Sequence, residues 1–384
     1  MAWRRELTDG FETGLPAYFS GVQGGLNGVK NGSIYSLYSV GHYSYYAYMG
    51  VSAGVGRNGG YAFVSNVSIS GGIGTPYMRY ALLNASHNLS LRLYVYSLGA
   101  NIAEFRPIRF ANGYVALNPS ARTVSLIWSS PSVTITSAPL DLAAAWICVE
   151  VKVRTDGANS LLALRVNGQD IGSNVTADLG SDGVAYVDYG QPITPTVVNL
   201  FYLDDIAINV GDLADDVPWC GLCSGIVASL PVADSGSINA WTPSTGTTRY
   251  TIVDDIPQKW TGTLPYIASG VNGDRQALKL KTRAQIAIPD NSLIKSVALF
   301  ATAMDGSAIG SGLKPLITKT DAANPLVYDA WDVGGAPDPN RPGINSYTGM
   351  MKLISSGEDP MNTSQQLTLA EFDKLLVGVE SIIP

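Results

Sequence analysis

Apolar and polar positions alternate along most of the chain with a period of two. In "LSLRLYVYS", Leu89, Leu91, Leu93 and Val95 fall on one side and Ser90, Arg92, Tyr94 and Tyr96 on the other. "WICVEVKVRTDG" repeats the pattern, with Ile147, Val149, Val151 and Val153 expected to face inward and Glu150, Lys152 and Arg154 outward. Strict alternation of this kind marks an antiparallel strand with one face buried. "LLALRVNGQDIG" follows directly. Its Leu162, Leu164 and Val166 alternate, and Asn167-Gly168 supplies the positive-φ residues of a tight hairpin. Residues 146–171 are therefore predicted to run strand, turn, strand, turn and into a third strand.

Helical periodicity is confined to one stretch, "TLAEFDKLL". There Thr368 and Glu371 have capping-box spacing, and Leu369, Phe372 and Leu376 are expected to share a face. A chain of many strands separated by glycine turns predicts an all-β fold of sandwich or jelly-roll type, not a parallel α/β sheet. "FYLDDIAINVG" closes one β region, the turn-rich "DLADDVPWCGLCSG" follows, and "IVASLPVADSG" opens a new strand pattern. Two domains are expected, 1–216 and 217–384, which suits a chain of 384 residues.

Composition narrows the function. Lys and Arg number 24 against 31 Asp and Glu, for a net charge of −7, so no basic surface recommends a nucleic acid as partner. Charged residues make up only 14% of the chain, and 41 Gly and 20 Tyr help fill their place, as in ordered β proteins with neutral polar surfaces. No apolar run approaches the ~18 residues needed to span a bilayer. "MAWRRELTDGFE" lacks the apolar core of a secretory signal, which predicts synthesis in a cytoplasm-like compartment. Three cysteines, Cys148, Cys220 and Cys223, do not make a disulfide scaffold.

Several motifs invite chemistry and are better read as architecture. "GVGRNG", from Gly54 to Gly59, fits the G-x-G-x-x-G pattern, but strand-like sequence follows where a pyrophosphate cradle needs a helix, so a glycine-rich β loop is expected. "WCGLC" resembles a thioredoxin active site, yet no helical pattern follows Cys220 to lower its pKa, and no second cysteine pair offers a zinc site. Cys220 and Cys223 are read as structural. The two histidines, His42 and His87, lie in loop-like contexts with no G-x-S-x-G elbow. The run "YSLYSVGHYSYYAYMG" carries Tyr35, Tyr38, Tyr43, Tyr45, Tyr46 and Tyr48. It is a candidate surface for stacking on sugar rings or docking a neighbouring subunit, against the alternative of core and edge positions.

Three stretches of the first domain, "DGFETGLPAYFSG", "AAAWICVEVKVR…LLALRVNGQDIGS" and "FYLDDIAINVG", together resemble the concanavalin-A-like lectin/glucanase superfamily in its laminin-G-like branch. The segment "DDVPWCGLCSGIVASLPVADSGSINAWTPSTGTTRYTIVDDIP" and the C-terminal "TLAEFDKLLVGVES" resemble the region that follows such a domain in structural proteins of tailed-phage virions. The resemblance implies an antiparallel β-sandwich of jelly-roll type, then a second, mainly β domain with one short C-terminal helix. It also implies a non-enzymatic virion protein, made in the bacterial cytoplasm, that decorates the head or builds the tail, neck or fibre. Its partners would be other virion proteins and copies of itself, a trimer being one such arrangement. A host-attachment module that binds glycan is the alternative, and a polysaccharide hydrolase is disfavoured.

Glucanases of that superfamily carry spaced acidic residues of the E-x-D-x-E kind on one strand face, and none is present here. Asp204 and Asp205 are adjacent, and strand geometry predicts that they point to opposite faces and share no acid/base site. By the same resemblance, Asp9 and Glu12 of the opening are candidates to hold a structural calcium with Asp204 or Asp205. Otherwise one aspartate is expected in solvent and the other on loop amides near the start of the chain. No other cofactor is expected.

Overall fold

The computed structural model describes the chain apart from residues 1–3, 10–34, 39–46, 58–59, 68–76, 98–103, 111, 142–144, 193–198, 224–228, 254–265, 296, 304–311, 321, 323, 328–330, 333–347, 356–357 and 384. The fold is all-β and antiparallel, and the chain divides into two compact units near residue 226.

The strands described in the first unit are β1 (Arg4–Asp9), β2 (Tyr35–Tyr38), β3 (Ala47–Ala53), β4 (Tyr61–Val67), β5 (Tyr77–Ser86), β6 (Asn88–Ser97), β7 (Phe105–Phe110), β8 (Gly113–Asn118), β9 (Thr123–Trp128), β10 (Val133–Thr136), β11 (Ile147–Arg154), β12 (Leu161–Val166), β13 (Gln169–Thr176), β14 (Val184–Pro192) and β15 (Asn199–Gly211). They form two sheets. Sheet A has the order β13-β12-β11-β6-β15-β4-β3, with β1 also on β15, and sheet B has the order β10-β9-β8-β7-β14-β5-β2. β15 organises sheet A. One side pairs with β6, while the other pairs with β4 through its first half and with β1 through its second, where Asp9 lies opposite Ile206. The opening and closing segments of the unit are thus neighbours, as the resemblance implies.

The alternating apolar residues make the core. Leu89, Leu91, Leu93, Val149, Val151, Leu162 and Leu164 of sheet A are at most 2% exposed, as are Phe105, Ile108, Val115, Leu126 and Val187 of sheet B. Phe201 of β15 stacks on Phe105 of β7, with ring centroids 5.0 Å apart, which joins the two layers. Each such side chain contributes about 1.5–3 kcal/mol by leaving water. The predicted hairpin is present between β12 and β13, with Asn167 and Gly168 at φ of 50° and 78°. The loop after Gly54 joins β3 to β4, two strands of a hairpin, and its described residues include no helix.

The second unit is built on a six-stranded sheet. Its central strand, Leu375–Ile382, pairs with Arg275–Leu280 on one side and Gly312–Lys319 on the other. Ile317, Leu367, Leu375 and Val377 bury together with Met361 and Phe372 packed against them, and Ala277, Leu316 and Leu376 form a separate cluster. The helix α1 (Leu369–Phe372) has Thr368 at its N-cap, whose hydroxyl accepts from the Glu371 N–H at 3.2 Å. It is one turn long. Leu376, expected on the same helical face as Leu369 and Phe372, belongs instead to the strand that follows, because the chain must re-enter the sheet at Leu375.

Candidate functional site

Sheet A has a second face, opposite the core, and alternation predicts it to be solvated. Much of it is not. Ser90, Arg92, Tyr94, Cys148, Glu150 and Asn209 are all at most 5% exposed. The cover is the segment 212–223, which runs back across the sheet after β15 and is tied down by these side chains. Asn88 Nδ2 donates to the carbonyls of Asp212 and Asp215 at 3.1 and 2.9 Å, and Asn209 Nδ2 donates to Pro218 O at 3.0 Å. The Gly221 N–H donates to Glu150 Oε1 at 2.6 Å, and Arg92 donates to Gly221 O at 2.7 Å. The Tyr94 hydroxyl donates to Cys223 O and accepts from Cys223 N, both at 3.1 Å. A strap without regular structure must find partners for its backbone groups, and polar side chains of the sheet supply them. Glu150, expected to face solvent, does point away from the core, but the strap buries it.

Arg57 clamps the same strap. Its guanidinium lies 3.4 Å above the Tyr94 ring, donates to Cys223 O at 3.1 Å and forms an ion pair with Asp205. Its backbone N–H donates to Asp204 Oδ2 at 2.8 Å. Both aspartates therefore meet one residue, and the expectation that they point to opposite faces fails. The reason is a bulge: the register of β15 on β6 shifts between Asp204 and Ala207, and Asp205 takes a φ of 48°. A residue in that conformation breaks the alternation of side chains. Neither aspartate is solvated, each being 2% exposed, and Asp204 Oδ1 also accepts from the Asp205 N–H at 2.7 Å.

Of the four residues expected to hold calcium, Glu12 lies outside the described residues, and only the backbone of Asp9 is described. Asp204 and Asp205 already carry a guanidinium and two backbone N–H groups, which does not suit a cation that needs their oxygens. Among the described residues no cluster of three or more potential metal-ligating side chains occurs. Chelation with EDTA is expected to leave the Tm of the first unit unchanged; a fall of several degrees would restore the calcium reading.

The thiols near this strap are ill suited to redox chemistry. None of the three cysteines is in a disulfide. Burial, reinforced by nearby Glu150, pushes the Cys148 thiol up to about 12, and burial also raises Cys223 against the pull of Arg92. Cys220 is buried with its Sγ 3.4 Å from Ser90 O and 3.6 Å from Ala207 O. These are packed thiols, consistent with a structural role.

Burial also raises Glu150, against the Gly221 N–H and Arg92 that favour its charge. Because the fold disfavours its ionised form, stability is expected to rise as pH falls through the folded value toward the ordinary 4.5. Glu150→Gln keeps an acceptor for Gly221 and is expected to abolish that rise, read as urea midpoints across pH.

Beyond the strap the face carries aromatic side chains. Tyr202 of β15 lies opposite Tyr96 of β6, and Trp146 leads into β11 at the same level. Tyr96 is 5.6 Å from Trp146 and 6.0 Å from Tyr202, centroid to centroid, and the rings are tilted by 48° and 52°. All three are half-buried, so each shows part of its ring to solvent while packing fixes the rest.

The tyrosines singled out from sequence are divided between sheets. Tyr35 and Tyr38 lie in β2, at the edge of sheet B, and Tyr48 lies in β3, at the edge of sheet A. Tyr43, Tyr45 and Tyr46 lie outside the described residues. The alternation in "LSLRLYVYS" had placed Tyr94 and Tyr96 on the outer face, but nothing local announced that Trp146 and Tyr202 would join them.

No known protein family matches the chain, and no curated protein does. Some solved structures are similar to part of the chain. A cellulose induced protein is 14% identical, covering 46% of this chain and 88% of its own, with a TM-score of 0.35. A carbohydrate esterase from the Shiga toxin-encoding bacteriophage phi24B is 13% identical over 55% of this chain and 100% of its own, with a TM-score of 0.37. Domain 4 of an extracellular arabinanase from Geobacillus stearothermophilus, solved with arabinotriose, is 14% identical over 55% of this chain and 94% of its own, with a TM-score of 0.37. At such identities and scores these likenesses say nothing of ligand or activity.

Proposed function

We propose that the chain is a non-enzymatic component of a tailed-phage virion whose first unit contacts glycan through the outer face of sheet A. The observation that carries the glycan reading is the row Trp146–Tyr96–Tyr202, three partly exposed rings held across adjacent strands. Rigid aromatic side chains give apolar area for the C–H faces of a sugar and a polar rim for its hydroxyls, at low cost in conformational entropy. The virion reading is supported by the sequence resemblance, from the "DGFE" opening to the "WTPSTG" segment.

Action by contact rather than catalysis is supported by the state of the buried carboxylates. Among the described residues of the first unit these are Glu150, Asp188, Asp204 and Asp205. Asp188 takes two hydrogen bonds from Arg79, at 2.6 and 2.9 Å, and the other three are bound by backbone N–H groups or Arg57. Glycoside hydrolysis needs a pair of carboxyl groups flanking the bond and exchanging a proton, and these are committed to structure.

Trp146→Ala is expected to weaken binding to a bacterial surface polysaccharide by about tenfold or more, as for central aromatic anchors elsewhere. Calorimetric titration of the full chain reads this directly, and equal affinity of wild type and variant would remove the row from the account. Mass spectrometry of purified particles tests the virion reading independently, and absence of the chain would end it.

A further inference from the structure

Lys319 is the last residue of its strand and alternates with Ile317, which puts its stem on the apolar cluster of Ile317, Leu367, Leu375 and Val377. It is only 8% exposed. Its Nζ lies 2.5 Å from Asp359 Oδ2 and 2.5 Å from Glu371 Oε2. Asp359 is itself buried, and its other oxygen, Oδ1, accepts from the Met361 N–H at 2.9 Å. Glu371 is 30% exposed and its other oxygen takes Lys374 Nζ at 2.8 Å. An amine nitrogen, a carboxyl carbon, a second and partly exposed carboxylate in reach of the nitrogen's protons, and an N–H on the oxygen that would gain charge are thus gathered beside one apolar cluster.

We propose that Lys319 and Asp359 become joined by an amide bond formed within the folded chain, with Glu371 carrying the protons. Glu371 takes a proton from the Lys319 ammonium and passes it to Oδ2 of Asp359, and the freed amine attacks Cγ of the carboxylic acid so formed. The Met361 N–H stabilises charge that develops on Oδ1, as backbone donors do at tetrahedral centres. Glu371 then carries the excess proton from the bonded nitrogen to Oδ2, the C–O bond breaks and water leaves. Ammonium and carboxylate are converted into amide and one water, Glu371 is regenerated, and no oxidant or cofactor is needed. Fixed proximity supplies the effective concentration that condensation in water lacks. The product is neutral and so sheds the desolvation cost of a buried ion pair. Burial opposes the Lys319 charge, but hydrogen bonds to Asp359 and Glu371 hold the amine above its ordinary range, and hydrogen bonds from Lys319 and Lys374 hold Glu371 down to about 2, so the ion pair is the resting state and proton transfer from Nζ is uphill. Asp359 is the electrophile because it is the more buried partner, while Glu371 is shared with Lys374. This inference rests on the second unit alone and is independent of the glycan reading.

The test is the mass of the purified full chain under denaturing conditions, followed by tryptic digestion. The expected result is a mass one water below that of the sequence, no cleavage after Lys319, and a branched peptide joining the segments that hold Lys319 and Asp359. Lys319→Arg and Asp359→Ala are expected to restore the missing water, and Glu371→Gln to leave most of the chain unlinked. A wild-type chain at full mass, with the two peptides separate, overturns the proposal whatever the variants do. A branch at Glu371 would overturn the assignment of roles.

Discussion

Arg57→Met is expected to loosen the strap and to lower the stability of the first unit by about 3–5 kcal/mol, the range for removing one partner of a buried ion pair. The size follows from what is left behind. Asp205 remains 2% exposed without the guanidinium, Cys223 O loses one of its donors, and Tyr94 loses the cation over its ring. Urea denaturation gives the free energy. Alkylation gives the location, since the Cys220 side chain of the strap is buried against the sheet and is expected to react faster in the variant than in the wild type. Asp170→Ala is the comparison. It removes an exposed pair with Arg165, worth about 0–1 kcal/mol, and leaves Arg165 over Trp219 of the strap. If Arg57→Met fell within that smaller range with Cys220 still protected, the clamp would not be what holds the segment.

Gly378→Ala is expected to disrupt the second unit by about 4 kcal/mol or more, among the exceptional single-residue effects. Gly378 sits in the central strand, opposite both Ala277 and Leu316. A Cβ there would run into Gln276 O and lie 2.8 Å from Ala277 Cα. Those are backbone atoms of the neighbouring strand, so no side-chain rotation relieves the overlap and the ladder itself must part. Gly236→Ala, where a Cβ meets nothing within 4 Å, is expected to change stability by less than about 0.5 kcal/mol. Thermal unfolding of the three chains checks this, and a wild-type midpoint for Gly378→Ala would contradict the strand pairing.

Period-two alternation was enough to find the strands and the core of the first unit, because inward residues such as Leu91 and Val151 answer to burial alone. It assigned the direction of Glu150 correctly and its environment wrongly. What covers Glu150 is a strap 71 residues away, at Gly221, with no periodicity of its own. Arg57 was hidden for a similar reason. It stands in a glycine loop whose pattern suggested phosphate, while its partners Asp204 and Asp205 lie 147 and 148 residues on. Nothing in "LDDI" announces a bulge, so the aspartates were separated onto two faces when the backbone turns them toward one residue. In the second unit, capping spacing found the start of α1. The side chain of Glu371 is drawn to Lys319, a partner 52 residues away that local spacing does not report.

The aromatic row has the same character. Tyr96 was placed by alternation, but the row exists only because β6 lies between β11 and β15 in the sheet. A binding face made by strand order is invisible in any one segment. It is also open to a simple comparison, since removing two of its rings leaves the strap and the core untouched.

The decisive measurement is binding of the full chain and its Tyr96→Ala/Tyr202→Ala variant to a panel of bacterial surface polysaccharides, with reducing ends assayed in the same wells. Saturable binding by the wild type, loss of binding in the folded variant and no release of reducing ends are predicted. No binding by the wild type to any member of the panel, equal binding by the variant, or liberation of reducing ends would contradict a face that holds glycan without cutting it.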